Sequence, residues 1–599
     1  MTINEKISAL RTSMKKHGVN ALVIPGTDPH ISESPCAKKW IQRTYFSGFT
    51  GSAGTLVVTD KESGLWTDGR YFVQAEKQLN GSEIKLFKMR VKGVPTITEY
   101  LESTLNKGEA LGIYGETTSA DIYEDFAAAA ERKGFDIKSV PCIEECWEDR
   151  PVLSKNKLFV HDIKYTGLTA KEKVNVLREK LAEKNADSIV ITALHSIIWL
   201  LNIRNDINYG SLAFPAFCFV SKEDVILFAD CEKLDESVEK HFNENGIVLK
   251  NYDDIISFIK GYIKKSTFLL DKMYTNFEIY NAIKENANLN IVFGEDPILM
   301  LKSVKSAHEL KNIDNAHIKD GCALVKFQMK LEEMLNNNET FTELDIVNLV
   351  KDIRSHQEGY ISESFGAIAA YGSNAAMMHY SPTKESNAVI EKRGFLLLDN
   401  GGHYLDGSTD TTRTYAVGPL TDKEKEYYTL VLKSHVDMAK AWFLEGGTGG
   451  SVDIIAREPL WKNGLDYRCG TGHGVGFLGA IHEGPQSLRP FNNVVLIPGM
   501  TVTDEPGIYE ENVVGVRTEN GLVCVEKKDT EYGKFLGFDV LTYVPYDLTP
   551  IVPEILDREE IKWIDEYHQL VYSKLSPRLS EEEKVWLKKK TAPLMEQVK

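Results

Sequence analysis

The sequence predicts a mixed α/β (α+β) chain in which two related α/β domains stand in tandem ahead of a third, unrelated one. Three observations lead there. First, 599 residues, at roughly 150 per domain, leave room for two to four domains with large cores. Second, the chain resembles itself: "EKISALRTSMKKHGVNALVI" from Glu5 aligns without a gap on "EKVNVLREKLAEKNADSIVI" from Glu172. Third, from about residue 303 onward the chain carries nearly all of its glycine-, histidine- and carboxylate-rich motifs.

The repeat justifies the first two domains. Apolar residues fall at i, i+3 and i+7 in both copies (Ile7, Leu10, Met14; Val174, Leu177, Leu181), and a polar break and a β-rich run follow. Each copy therefore reads as helix then strand. "WIQRTYFSGF" and "IIWLLNIR" occupy comparable places further along, which sets the expected domains at 1–153 and 154–302. The third, 303–599, opens on the long helical pattern "VKSAHELKNIDNAHIKDGCALVKFQMKLEEML", with charges on one side and apolar residues on the other. It closes on two amphipathic helical patterns, "EEIKWIDEYHQLVYSKL" and "SEEEKVWLKKK", suited to covering a core or a subunit contact.

Composition narrows the class of function. Hydrophobic residues at 42% and charged residues at 26% are the proportions of a globular protein. A net charge of −17 argues against nucleic acid or an anionic membrane as the main partner. The amino terminus lacks the apolar core of a signal peptide and no run approaches the roughly 20 apolar residues that span a bilayer, so the expected location is the cytoplasm. The eight cysteines show no repeated short-spaced pairs, and the single CxxxC, Cys142 and Cys146, is two ligands short of a structural zinc site; all eight read as reduced thiols.

The chemistry is sought in "LLLDNGGHYLDGSTDTTRT", Leu396 to Thr414. An apolar run leading to Asp399, a glycine turn and a β-rich run after Asp410 read as two strands joined by a turn. Burying a carboxylate costs several kcal/mol unless a cation or metal compensates it. Alone, the stretch fits a solvated aspartate turn as well as a site. "CGTGHGVGFLGAIHEGP" adds His473 and His482; "TVTDEPGIYEENVVGVRTENG" adds Glu505, Arg517 and Glu519, again with acids at strand ends. Two aspartates, one histidine and two glutamates suit a pair of divalent metals bridged by carboxylates, provided the five side chains converge.

These motifs, in this order, resemble the catalytic signature of the pita-bread metallopeptidases, in the long three-domain form of the Xaa-Pro aminopeptidase (aminopeptidase P) family. "GFTGSAGTLVVT", "LWTDGRYFVQA" and "IIWLLNIR" extend the resemblance over nearly the whole chain. It implies two creatinase-like amino-terminal domains and a pita-bread catalytic domain. It makes Asp399, Asp410, His473, Glu505 and Glu519 the ligands of two divalent ions, usually Mn2+, with Asp410 and Glu519 bridging and a hydroxide between the metals as nucleophile. Glu505 would be the general base, His379 and His482 would stabilise the tetrahedral intermediate, and Arg517 would hold a ligating carboxylate. The implied partners are peptides with proline at the second position, and the implied assembly is a homodimer. Cys469 departs from the pattern, standing where several relatives have histidine; it is expected to be a neutral packing residue. Prolidase, with the same metal set and usually one amino-terminal domain, is the nearest alternative, and a non-enzymatic peptide- or protein-binding protein of this fold is a further one. The duplicated unit favours the aminopeptidase, and the five intact ligands favour an enzyme.

Overall fold

The structure, a computed structural model, describes residues 1–209 and 211–594; the end of the expected third segment, 595–599, lies outside the described residues. Two compact units are formed, Met1–Ile163 with Leu168–Leu299, and Lys164–Gly167 with Met300–Lys599.

In the first unit the repeat becomes geometry. Helices Ile3–His17 and Ala170–Glu183 each start on a capping box, Thr2 with Glu5 and Thr169 with Glu172, in which each residue's side chain accepts from the other's backbone amide. The apolar positions named above are buried in both. The strands that follow, Ala21–Pro25 and Ser188–Ile191, are buried along their whole length and lie inside two six-stranded sheets. The first sheet runs Ile84–Lys88, Ser63–Thr67, Thr55–Thr59, Ala21–Pro25, Ala110–Ile113, Asp136–Ser139. The second runs Ile247–Lys250, Val225–Phe228, Phe217–Ser221, Ser188–Ile191, Ser266–Leu270, Leu289–Phe293. Both orders are 4-3-2-1-5-6 in chain sequence, and the pairings match in sense: two antiparallel and one parallel on one side of the first strand, two parallel on the other. One fold is thus built twice.

The second unit opens on helix Ala307–Asn336, again with a capping box, Ser306 and Glu309. Its sidedness is less simple than the charge pattern predicts, because Lys319 and Asp320 lie on the buried face. They are tolerated because they are paired: Lys319 Nζ is 2.9 Å from Asp406 Oδ2, and Asp320 Oδ1 is 2.6 Å from Arg354 Nε. The two tail patterns form helices Arg558–Leu575 and Glu581–Lys590. Ile564, Val571, Leu575 and Leu587 enter a core with Val325, Val431 and Leu460, so these helices seal this unit's own core.

Four small antiparallel sheets carry the motif residues. Phe395–Asn400 lies between Ile368–Tyr371 and Thr411–Ala416; Thr501–Asp504 pairs with Asn520–Thr530; Gly472–Gly474 pairs with Glu483–Leu488; Gly507–Glu510 pairs with Val514–Arg517. Helices Asp422–Ala439 and Gly449–Trp461 pack beside them. Among the described residues no helix is long and apolar enough to cross a membrane.

Candidate metal centre

The apolar run Leu396–Leu398 is a buried strand, and Asp399 stands near its end, opposite Thr412 in the ladder. Asp410 immediately precedes the returning strand. The connection is more than a glycine turn: Gly402–Tyr404 pairs with Gly407–Ser408 on one side and with Tyr360–Glu363 on the other, in a sheet of their own. Arg354, fully buried, braces this connection, donating to Asp320 Oδ1 (2.6 Å), Glu363 Oε2 (2.6 Å) and Asn400 Oδ1. Tyr404 and Thr409 donate to Asp320 from the other side at 2.9 and 3.0 Å. Gly401 is needed for close approach, since a Cβ there would lie 2.0 Å from the Thr409 carbonyl oxygen.

The other residues are placed by the ends of two ladders. Asp504 and Asn520 are register partners, and one residue beyond each stand Glu505 and Glu519. Their own amides reach other strands: Glu505 N–H donates to Thr471 O (2.7 Å), two residues from His473, and Glu519 N–H donates to Thr412 O (3.1 Å), two residues from Asp410. Residues far apart in sequence are thereby tied by backbone bonds. His473 lies on a strand whose Gly472 could not carry a Cβ, which would sit 1.8 Å from Thr503 O.

The side chains converge. Ligand atoms of Asp410, His473 and Glu519 all lie within 4.8 Å of one another; among the described residues this is the one such grouping of His, Cys, Asp and Glu. His473 Nε2 is 3.6 Å from Asp410 Oδ2 and 3.5 Å from Glu505 Oε1. Asp399 and Glu505 meet through Arg517, whose Nη2 is 2.6 Å from Asp399 Oδ2 and whose Nε is 4.0 Å from Glu505 Oε2. Arg517 also donates to Tyr509 Oη (2.8 Å), Thr412 Oγ1 (3.2 Å) and Met378 O (3.4 Å). Thr412 Oγ1 in turn donates to Glu519 Oε2 at 2.7 Å. The His482 ring stands edge-on to His473 at 4.3 Å between centroids, and His379 is 6.4 Å beyond His482. Cys469 is half-buried against the Leu432 and Ile564 core, its carbonyl accepting from Arg457 at 2.7 Å.

Four carboxylates face one guanidinium here, and the electrostatics show the imbalance. Burial, then Glu519 and Asp399, pushes the Asp410 carboxyl well above the usual range, with Arg517 opposing. Burial, then Glu505 and Asp399, does the same to Glu519. Asp399 Oδ1 and Glu519 Oε1 are buried with no hydrogen-bond partner. Such oxygens are costly unless a cation takes them up. Oxygen-rich, with one imidazole and two orphaned carboxylate oxygens, the set fits hard or borderline divalent ions.

Thr412, Tyr509, Arg354 and His435, which support these groups, carry no sequence signal: their residue types are ordinary and their partners lie up to 111 positions away, as Tyr546 does from His435. Asp504, between His435 and Glu505, is fully buried, and burial pushes its carboxyl up to about 6, the neighbouring His435 drawing it the other way.

Known proteins can be set beside this geometry. Creatinase/prolidase amino-terminal domain profiles match residues 6–150 and 149–309. That of metallopeptidase family M24 matches 311–526, and that of the carboxy-terminal region of peptidase M24 matches 534–594. Aminopeptidase P2 of Arabidopsis thaliana is 36% identical, covering 99% of this chain and 89% of its own. Xaa-Pro aminopeptidase 1 of Dictyostelium discoideum is 36% identical, covering 99% and 97%. A crystal structure of X-prolyl aminopeptidase from Caenorhabditis elegans, described as a cytosolic enzyme with a di-nuclear active site, superposes with a TM-score of 0.94 at 34% identity, over 99% of this chain and 100% of that one. The chain belongs to metallopeptidase family M24, in the form that carries paired creatinase-type domains. The two relatives named above, matched over 99% of this chain, are an aminopeptidase P and a Xaa-Pro aminopeptidase.

Proposed function

We propose that this chain is a cytoplasmic Xaa-Pro aminopeptidase that removes the residue ahead of a proline at the second position of peptides. Two divalent ions, Mn2+ foremost, would be held by Asp399, Asp410, His473, Glu505 and Glu519, within a catalytic domain spanning 303–599 that follows domains 1–153 and 154–302. The working assembly would be a homodimer. The reading is carried by the grouping of Asp410, His473 and Glu519, with buried, orphaned oxygens on Glu519 and on Asp399, whose charge acts on both Asp410 and Glu519.

When bound, a pair of divalent ions supplies Lewis acidity toward the scissile carbonyl and lowers the pKa of a water. The chain supplies the rest. Glu505, 22% exposed at its side chain, is open enough to exchange protons; it takes the proton of the attacking water and delivers it to the leaving proline nitrogen. His482, beside His473, and His379, beside His482, offer donors to the oxyanion. Arg517 fixes Asp399 through Nη2 alone, while Nη1 and Nε of the same planar head hold Tyr509 and Thr412.

A peptide-length series tests this. With Mn2+ added, Arg-Pro-Pro and longer peptides should lose their first residue and Xaa-Pro dipeptides should be poor substrates. Efficient cleavage of dipeptides alone would make the chain a prolidase. Asp410→Asn should keep the fold by circular dichroism and lose turnover; fewer than one ion bound per wild-type chain, with no cleavage, would end the enzyme reading.

A further inference from the structure

Against the strand ends that lead to Glu505 and Glu519 lies a fully buried imidazole, His435, from helix Asp422–Ala439. Its Nδ1 lies 3.1 Å from the Asp504 backbone oxygen and 3.0 Å from Asp504 Oδ2. Its Nε2 lies 2.8 Å from Tyr546 Oη and 3.1 Å from Asn520 Nδ2. Asp504 and Asn520 are the last paired residues of their strands, each directly beside Glu505 or Glu519. One ring therefore touches both strand ends.

The network fixes its own protonation pattern. Arg413 donates to Asn520 Oδ1 at 2.8 Å and to Glu519 O at 2.6 Å, so the Asn520 amide must turn its Nδ2 toward the imidazole. Nε2 is then an acceptor, and the ring proton sits on Nδ1, facing Asp504. Asn520 Nδ2 also donates to Tyr546 Oη at 2.8 Å. All of these groups are buried, so no water can replace a missing member at its usual low cost.

Building on the two-metal reading above, we infer that His435 is a positioning residue: with Tyr546 it clamps Asp504 and Asn520 and thereby sets the spacing of Glu505 and Glu519. It touches neither substrate nor reacting atoms. Its effect is on how well the two glutamates are arranged before an ion arrives, which is a matter of metal affinity and turnover rather than peptide affinity.

The test uses the full chain with His435→Asn, which keeps a donor toward Asp504 and loses the link to Asn520 and Tyr546, and Tyr546→Phe, which removes one hydroxyl. Mn2+ dissociation constants come from isothermal titration calorimetry. The values of kcat and KM come from a Xaa-Pro-Pro peptide at saturating Mn2+, and folding is followed by near-ultraviolet circular dichroism. For His435→Asn we expect Mn2+ affinity and kcat each to fall by about tenfold with KM unchanged. Tyr546→Phe should shift both in the same direction, and it decides the matter if His435→Asn does not fold. Folded variants with affinity and kcat within about twofold of wild type would overturn the inference, as would a lowered melting temperature with unchanged affinity. A wild-type chain that binds no Mn2+ would instead overturn the proposed function.

Discussion

At the scale of the residue, the site is organised by a single cation. Arg517 makes hydrogen bonds to Asp399, Thr412, Tyr509 and Met378 from one planar head, a geometry that an ammonium cannot reproduce. Arg517→Lys should therefore lower kcat by about tenfold to a hundredfold and reduce Mn2+ affinity in the same calorimetric titration, although the charge is kept. Cys469 offers the opposite case: half-buried against apolar neighbours, it should tolerate Cys469→Ser with kcat within about twofold, or about 0.5 kcal/mol. A loss of most activity at saturating Mn2+ would give this thiol a part in the chemistry. The candidate ligands could be picked out in the sequence because carboxylates beside apolar runs, glycines and prolines form unusual motifs. Their supports could not: nothing local to Tyr509 or Thr412 indicates that it holds Arg517.

At the scale of the element, antiparallel ladders do what metal sites require of a scaffold. They bring Asp399 opposite Thr412 and stop just short of Glu505 and Glu519, so the acids stand at strand ends where side chains are free to turn inward. The turn between the two aspartates depends on Gly401, whose replacement by alanine would press a Cβ to 2.0 Å from a backbone oxygen. Gly401→Ala should cost about 1–3 kcal/mol, read as a lower urea midpoint, and should weaken Mn2+ binding by splaying the two strands. Strand and helix positions were legible from periodicity, as in the repeat from Glu5 and Glu172. The short hairpin between Gly402 and Ser408 was not, because two- and three-residue strands carry no periodic pattern and are held by Arg354 and Asp320 from elsewhere in the chain.

At the scale of the whole molecule, three buried imidazoles should make the fold sensitive to acid. Burial holds His30 and His317 down to about 4 and His568 down to about 3, so each is neutral in the folded chain. The unfolded chain binds their protons from about pH 6.5 downward, so it holds more protons than the folded one. Stability contributed by these groups is complete above pH 6.5 and is lost as pH falls toward 4 and then 3, at about 1.4 kcal/mol per unit of separation. His568 Nε2 accepts the Tyr546 amide at 3.0 Å. His568→Gln, which keeps an acceptor but cannot ionise, should flatten the dependence of the urea midpoint on pH between 7 and 4; an unchanged slope would remove His568 from this account. The twice-built sheet has a consequence of another kind. Every strand of the first lies between residues 21 and 139 and every strand of the second between 188 and 293, with none exchanged. During synthesis each sheet is complete as soon as its own last strand leaves the ribosome, and the long wait falls only on the carboxy-terminal unit, whose Asp399 needs Arg517 before its charge is answered.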